Sequence, residues 1–192
     1  MDEKYVIAVH ACGFESKDVI CPVAKYRLTR AASKAREANI NNIIISGGPP
    51  YQKGSELLAH MMGQWLNIKK FNISYATDCY DSSTDIQNII KIAKEKGFNN
   101  IKAISSYWHL WALKPLYKYW GRQLNYFGEI DFVYTPKSID QSLTGIRTRI
   151  FYFFYSCLLH LALLFHLFKP LDKFLSSIFS KRKNGYPVSG CS

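Results

Sequence analysis

Small and polar residues follow four apolar runs of the sequence, and their types suit proton transfer and anion binding. The segments are HACGF (10–14), SGGPP (46–50), TDCYDSST (77–84) and SSYWH (105–109). His109 is the strongest candidate for chemistry, because an imidazole can move a proton near neutral pH or act as a nucleophile. A histidine between Trp108 and Leu110 also fits a packed, hydrogen-bonded core position, and the sequence alone leaves both interpretations open.

The segment SGGPPYQKGSE (46–56) has the composition of an anion-binding turn before a helix. Gly47 and Gly48 allow positive φ angles and a close approach of the backbone to a ligand, and the helix N-terminus would add unpaired N–H groups. We therefore expect Ser46, Gly47, Gly48 and Lys53 to contact a ligand. An ordinary βα loop is the alternative, since an isolated glycine pair is a weak motif.

Acidic and thiol groups near these segments support further hypotheses. Asp78 and Asp81 are candidate acid/base groups or cation ligands, although acidic residues also cap helices. Cys12 is a candidate nucleophile, although a free cysteine is more often a small packed residue. The five cysteines are widely spaced and form no CxxC pair, so the sequence predicts neither a disulfide framework nor a zinc site. It assigns no metal ligand and no cofactor.

Composition narrows the class of partner. The chain has 192 residues, a net charge of +11 and 48% hydrophobic residues, which suits one globular domain with an appendage. The positive charge favours anionic partners such as phosphates or an anionic membrane surface. Nucleic acid is an unlikely partner, because no basic segment resembles a zinc finger, an RNA-binding signature or a recognition helix. The N-terminus does not resemble a signal peptide, so the globular part is expected on the cytoplasmic side.

Short β-rich runs alternate with helical patterns along most of the chain. This alternation predicts βαβ units and an α/β fold with a mostly parallel, doubly wound sheet. The predicted strands are 5–9, 42–46, 72–77, 101–106 and 132–135, and the predicted helices are 24–39, 55–67, 83–97 and 107–121. Pro115 should kink the last of these helices.

In such a sheet, ligands bind outside the carboxyl ends of the strands, near a topological switch point. This rule brings the polar segments together at one edge of the sheet. The residues that it gathers there are His10, Cys12, Gly13, Ser46, Gly47, Gly48, Asp78, Asp81, Thr84, Ser105, Ser106 and His109. From this set we expect Gly13 and Ser105 to contact a ligand together with the glycine turn.

The order and spacing of IIISGG, SELLAHM, SST and ISSYWHLWAL, with Arg27–Leu28 in the first helix, resemble the YdcF/SanA/ElyC family of bacterial proteins, also called domain of unknown function 218. The similarity covers residues 4–135. It implies a Rossmann-like α/β fold and an association with envelope integrity and lipid-linked cell-wall precursors. The resemblance also implies site roles for Gly47, Gly48, Glu56, Thr84 and His109.

The chain departs from the family pattern at two places. Ala112 stands where the family usually has an arginine, and the usual Glu–Asn pair after Thr84 is disturbed. Losing an arginine from an anion site removes a bidentate phosphate fork, for which Lys53, Arg27 or Lys114 would have to compensate. The expected function is binding or transformation of a phosphate-bearing small molecule or lipid-linked envelope precursor. The alternative is a non-catalytic binding module for a nucleotide or an S-adenosyl compound.

The chain changes character after residue 145. The run 150–168 has no formal charge and approaches the length of about 20 residues that spans a bilayer as a helix. We predict an α/β domain at 1–145, a membrane-associated helical region at 146–183 and a flexible tail at 184–192. An in-plane or re-entrant helix followed by an amphipathic segment at 171–183 is the first expectation, and a C-terminal span is the alternative. A core helix is also possible, with Ser156 and His160 facing a polar partner.

Overall fold

A five-stranded sheet in which all strands run parallel forms the centre of the protein. The computed structural model describes residues 4–16, 19–48, 56–67, 71–79, 81–135, 146–164 and 167–171. The strands of the central sheet are β1 (Tyr5–His10), β4 (Asn42–Ser46), β5 (Asn72–Ala76), β6 (Asn100–Ser105) and β7 (Glu129–Tyr134). Their order is β5-β4-β1-β6-β7, so the chain reverses its direction of travel across the sheet between β1 and β6.

Within the described ranges, five helices of ten or more residues cover the two faces of this sheet. They are α1 (Pro22–Glu37), α2 (Leu58–Asn67), α3 (Ser82–Glu95), α4 (Tyr107–Gln123) and α5 (Ile146–Leu164). One core cluster joins α1 and α2 to Ile7 and Val9, and the other joins α3, α4 and α5 to Val6 and Ala8. Because successive side chains of a strand point to opposite faces, both faces of β1 are buried. The predicted α/β, Rossmann-like fold is confirmed.

The sequence analysis missed a short hairpin between β1 and α1. It consists of β2 (Phe14–Ser16) and β3 (Val19–Ile20), which pair antiparallel with Phe14 opposite Ile20. Both of these side chains are buried against the cluster under α1 and α2. Runs of three and two residues are too short to show the period of two that identifies a strand.

Helix α4 continues through Pro115, and α5 compensates for the proline. A proline has no N–H to donate to the carbonyl four residues earlier, which here belongs to Trp111. The Ser156 hydroxyl of α5 donates a hydrogen bond to this Trp111 oxygen at 3.2 Å. The carbonyl oxygen of Ser156 in turn lies 2.7 Å from Nδ1 of His160. Of the two residues named in the core-helix alternative, Ser156 therefore has a polar partner on α4, whereas His160 is exposed.

Helix α5 packs on α4 by one side only. Leu159 is 1% exposed and, with Phe168, belongs to the same hydrophobic cluster as Leu113 and Tyr117 of α4. Among the described residues, the structure contains no helix with the length and apolar character required to cross a membrane.

Candidate functional site

The candidate site lies at the carboxyl edge of the sheet, where the strand order reverses. His10 ends β1, Ser46 ends β4 and Ser105 ends β6, and all three side chains are fully buried. Parallel strands place these ends side by side, with His10 opposite Ser46 in the register. The polar strand ends therefore meet, as the sequence rule predicts.

His109 is held between two serine hydroxyls. Its Nδ1 lies 2.8 Å from Ser105 Oγ, and its Nε2 lies 3.1 Å from Ser82 Oγ at the start of α3. In the tautomer that carries the proton on Nδ1, the ring donates to Ser105 and can accept the hydroxyl proton of Ser82 at Nε2. Ser82 is partly exposed, whereas His109 is only 5% exposed. This arrangement matches a hydroxyl nucleophile, a base and a group that orients the base.

The electrostatic surroundings keep His109 neutral. Burial is the largest cause that lowers its pKa well below the ordinary value of 6.5, and the positive charge of Arg27 and the neighbouring His10 lower it further. The imidazole rings of His10 and His109 meet edge to face, with their centroids 5.9 Å apart. A neutral imidazole near pH 7 has the protonation state that a general base requires.

Arg27 joins the ends of β1 and β6 from its position on α1. Its Nη1 donates to the carbonyl oxygens of His10 and Ala11, both at 2.8 Å, and its Nη2 donates to Ser106 Oγ at 2.6 Å. The side chain is 2% exposed, and no described carboxylate forms an ion pair with it. Within the part of the chain that the structure describes, its Nε also has no hydrogen-bond partner. A buried cation without a counter-charge is costly, and a bound anion would offset that cost.

His10 has polar partners of its own, Tyr117 and Asp85, which hold its imidazole ring in place. Its Nε2 lies 2.8 Å from the hydroxyl of Tyr117, and its Nδ1 lies 3.7 Å from an Asp85 carboxylate oxygen. Burial lowers the pKa of His10, although Asp85 acts in the opposite direction. Burial also raises the pKa of Tyr117 well above its ordinary value, so both groups are neutral near pH 7. We assign this pair to positioning, because His10 packs directly behind His109.

Asp81 and Thr84, which the sequence analysis placed at the site, form the N-terminal cap of α3. The Thr84 backbone N–H donates to Asp81 Oδ1 at 2.8 Å, and the Asp81 N–H donates to Thr84 Oγ1 at 3.1 Å. This is a reciprocal capping box. It positions Ser82 at the first residue of the helix, so both residues have a structural role next to the candidate nucleophile.

The glycine turn has a packing requirement of its own. A Cβ atom on Gly47 would lie 2.4 Å from the backbone nitrogen of Ala59 in α2, which only glycine avoids. The Gly47 N–H donates to the Ala76 carbonyl at 3.1 Å, so this amide is already used. Gly48 is buried beside it. Ser46 Oγ is buried without a hydrogen-bond partner among the described residues and is the better ligand contact of this segment.

Other predicted site residues lie apart from His109 or have other partners. Glu56 is exposed, accepts a hydrogen bond from Gln64 at 2.7 Å and lines a cavity of about 340 Å³ beside Lys25 and Trp65. The side chain of Asp78 is exposed. The carbonyl oxygen of Gly13 accepts the N–H of Cys21 at 3.1 Å. Lys53 lies outside the described residues.

Of the three residues proposed to replace the family arginine, Arg27 and Lys114 do not present free cations at the site. Arg27 uses both Nη atoms on protein acceptors. The Lys114 Nζ lies over the rings of Phe132 and Tyr134, 5.3 and 5.1 Å from their centroids. Ala112 itself is fully buried. The positive field at the site therefore comes from a buried guanidinium rather than from an exposed phosphate fork.

Sequence reasoning missed Ser82, Asp85 and Tyr117 as members of the site. Ser82 belongs to the SST motif, but the family resemblance implied a site role for Thr84 of that motif and not for Ser82. Tyr117 contacts His10 across 107 positions of sequence, and no local pattern predicts such a contact. Cys12 packs against the hydrophobic core, which fits the packing alternative. Within the described ranges, no group of three or more His, Cys, Asp or Glu residues is arranged to hold a metal ion.

Fold and site together define a Rossmann-like α/β protein with a serine–histidine pair at its switch point. Comparison with protein-family models and with curated proteins gives no match to this chain. The resemblance to the YdcF/SanA/ElyC family therefore stays a prediction.

Proposed function

We propose that the protein binds a phosphate-bearing small molecule at the carboxyl edge of the sheet and transfers its phosphoryl group through Ser82. The observation that carries this proposal is the hydrogen-bonded series Ser82–His109–Ser105 next to the buried Arg27, which forms no ion pair with a described residue. A nucleophile, its base and a source of positive charge are the three components that such a displacement needs.

The reaction takes place in two balanced steps. His109 Nε2 accepts the Ser82 hydroxyl proton as Ser82 Oγ attacks phosphorus, and the bond from phosphorus to the leaving oxygen breaks. The leaving oxygen takes the proton from His109. Water then attacks phosphorus, and the bond from phosphorus to Ser82 Oγ breaks as inorganic phosphate leaves. His109 accepts a proton from the attacking water and donates it to Ser82 Oγ. Ser105 orients the imidazole in both steps through its contact with Nδ1.

Arg27 links anion binding to the basicity of His109. Without an anion, the guanidinium disfavours protonation of the imidazole, and it contributes to the low pKa of His109. A bound phosphate offsets part of this charge, so the histidine becomes a better base only when substrate is present. The missing arginine at Ala112 is then compensated by a buried charge and by Ser46 Oγ, which has no described partner.

Two variants and a matched control test this function once the natural ligand has been extracted and identified by mass spectrometry. Ser82→Ala and His109→Gln should lower turnover of that ligand by about 100- to 10,000-fold with binding largely retained. Ser33→Ala removes a hydroxyl whose partner is Glu37 on the surface and should leave turnover unchanged. Undiminished turnover in either site variant would contradict the proposal.

A non-catalytic binding module is the second candidate. Its support is that both nitrogens of His109 have hydrogen-bond partners and the ring is nearly buried, as in a structural histidine. A nucleotide or S-adenosyl compound would then occupy the same switch point. This candidate predicts binding of the extracted ligand with no turnover in the wild-type protein.

We also propose that the protein works at the cytoplasmic side of a membrane, where a lipid-linked envelope precursor would be the phosphate-bearing substrate. The support is the exposed apolar side of α5. From Ile150 to Leu164 the sequence carries no formal charge, and Phe154 is 65% exposed and Leu161 53% exposed. Contiguous apolar surface of this kind marks interaction sites with proteins or membranes.

A further inference from the structure

The exposed side of α5 is a continuous apolar stripe. At 3.6 residues per turn, its exposed large residues occupy an arc of about 160° on the helix, and the buried Ser156, Leu159 and Ala162 occupy the opposite side. The large hydrophobic residues of this stripe are Ile146, Ile150, Phe151, Phe153, Phe154, Leu158 and Leu161. The ring of Trp111 on α4 is 40% exposed and contacts Phe153, which extends the stripe onto α4.

A basic cleft adjoins this stripe. The cleft, of about 670 Å³, lies between the second half of α4 and the end of α5. Its basic lining residues are Lys114, Lys118, Arg122, His160 and Lys169, and none of its described lining residues is acidic. Leu163 and Phe168 supply apolar surface to the same cleft. His160 lies in the cleft and, seven positions after Phe153 of the stripe, projects from nearly the same side of α5 as that residue.

We propose that the cleft between α4 and α5 binds the phosphate headgroup of an acidic phospholipid while the apolar stripe of α5 enters the bilayer interface. The inference rests on the proposed membrane association and adds a specific headgroup site to it. Cationic side chains next to apolar ones match the two halves of an anionic lipid. Lys118 and Arg122 are exposed and form no ion pair with a described residue, so their charges are available to such a headgroup.

Charge favours a lipid over two other occupants. A second copy of the chain would carry the same net charge of +11 to the contact. The C-terminal segment 172–192 contains four Lys or Arg residues and a single acidic residue, Asp172, so it does not complement a basic cleft either. An anionic bilayer surface supplies the missing negative charge.

The test is co-sedimentation of the full chain with vesicles of phosphatidylcholine alone or with added phosphatidylglycerol. The wild-type protein should bind the anionic vesicles at least about tenfold more tightly than the neutral ones. The double variant Lys118→Glu/Arg122→Glu should lose this preference. A matched control, Arg36→Glu/Lys91→Glu, also replaces one arginine and one lysine, at exposed positions of α1 and α3. This control should lose much less of the preference for anionic vesicles.

The possible results separate the cleft from membrane association. If the two double variants lose anionic-vesicle binding equally, only net charge matters and the cleft proposal fails while membrane association stands. Equal binding of the wild-type protein to neutral and anionic vesicles would also contradict the cleft proposal, because a headgroup site requires a preference for the anionic lipid, while membrane association would stand. If the wild-type protein binds neither kind of vesicle, membrane association fails and the cleft fails with it. A third variant, Phe154→Ser/Leu161→Ser, should weaken binding to both kinds of vesicle if the stripe enters the bilayer.

Discussion

The switch point of the sheet and the cleft between α4 and α5 both contain positively charged side chains, but these are buried at the switch point and exposed in the cleft. At the switch point, Arg27 is 2% exposed, and both of its Nη atoms donate hydrogen bonds to protein acceptors. In the cleft, Lys118 and Arg122 extend into solvent without described ion pairs. A buried charge acts strongly on its neighbours and is part of the fold, whereas an exposed charge is screened and contributes little to stability. The geometry of the switch point is suited to binding a single anion, whereas the cleft is suited to contact with an extended anionic surface.

A matched pair of arginine substitutions gives the largest expected difference between the regions. Arg27→Lys removes the planar fork that holds His10, Ala11 and Ser106 together, and should lower the free energy of unfolding by about 3 kcal/mol. Arg122→Lys keeps a positive charge at an exposed position and should change the free energy of unfolding by less than about 0.5 kcal/mol. Urea unfolding of the two variants measures both values. Similar small effects would show that Arg27 does not hold the switch point together.

The pH dependence of stability gives a smaller effect, which comes from the two buried histidines of the switch point. His10 and His109 have folded-state pKa values below 6.5, so below about pH 6.5 the unfolded chain binds protons that the folded protein excludes. Stability should therefore fall as the pH drops from 6.5 toward the folded pKa values. The expected slope is at most about 1.4 kcal/mol per pH unit for each histidine.

A substitution assigns this slope to its source. His109→Gln should reduce the slope between pH 6.5 and 5 by about one proton's contribution. Chemical denaturation at several pH values provides the measurement, and an unchanged slope in His109→Gln would be inconsistent with the burial of His109.

The sequence predicted the sheet and helices well because their signals are local. The apolar run of β4 and the helical period of α3 each appear within one short window, and α4 continues through Pro115, as the helix predicted over 107–121 requires. That continuity depends on Ser156, 45 positions away, whose hydroxyl replaces the missing N–H at the Trp111 carbonyl. A contact over such a distance leaves no local pattern.

The sequence predicted which residues lie at the carboxyl edge of the sheet but not the hydrogen bonds between them. The strand-end rule placed His109 and Ser105 at this edge, where the structure has them, because it needs only the strand boundaries. Asp81 and Thr84 cap helix α3. Position 47 must be glycine because α2 approaches its backbone closely. The hydroxyl next to His109 belongs instead to Ser82, 27 positions earlier, and only the packing of α3 against α4 brings them together. The predictions for Lys53, for most of 171–183 and for the tail 184–192 lie outside the described residues.

The central claim is that His109 activates Ser82, and labelling with a fluorophosphonate probe tests it without knowledge of the substrate. The probe reacts with an activated serine, whose oxygen displaces fluoride while the hydroxyl proton passes to the base. The account predicts a covalent adduct on Ser82 in the folded wild-type protein, located by peptide mass spectrometry. The adduct should be absent from Ser82→Ala and should form at least about 100-fold more slowly in His109→Gln. An unlabelled Ser82 in the folded wild-type protein, or labelling at the same rate in His109→Gln, would contradict the account.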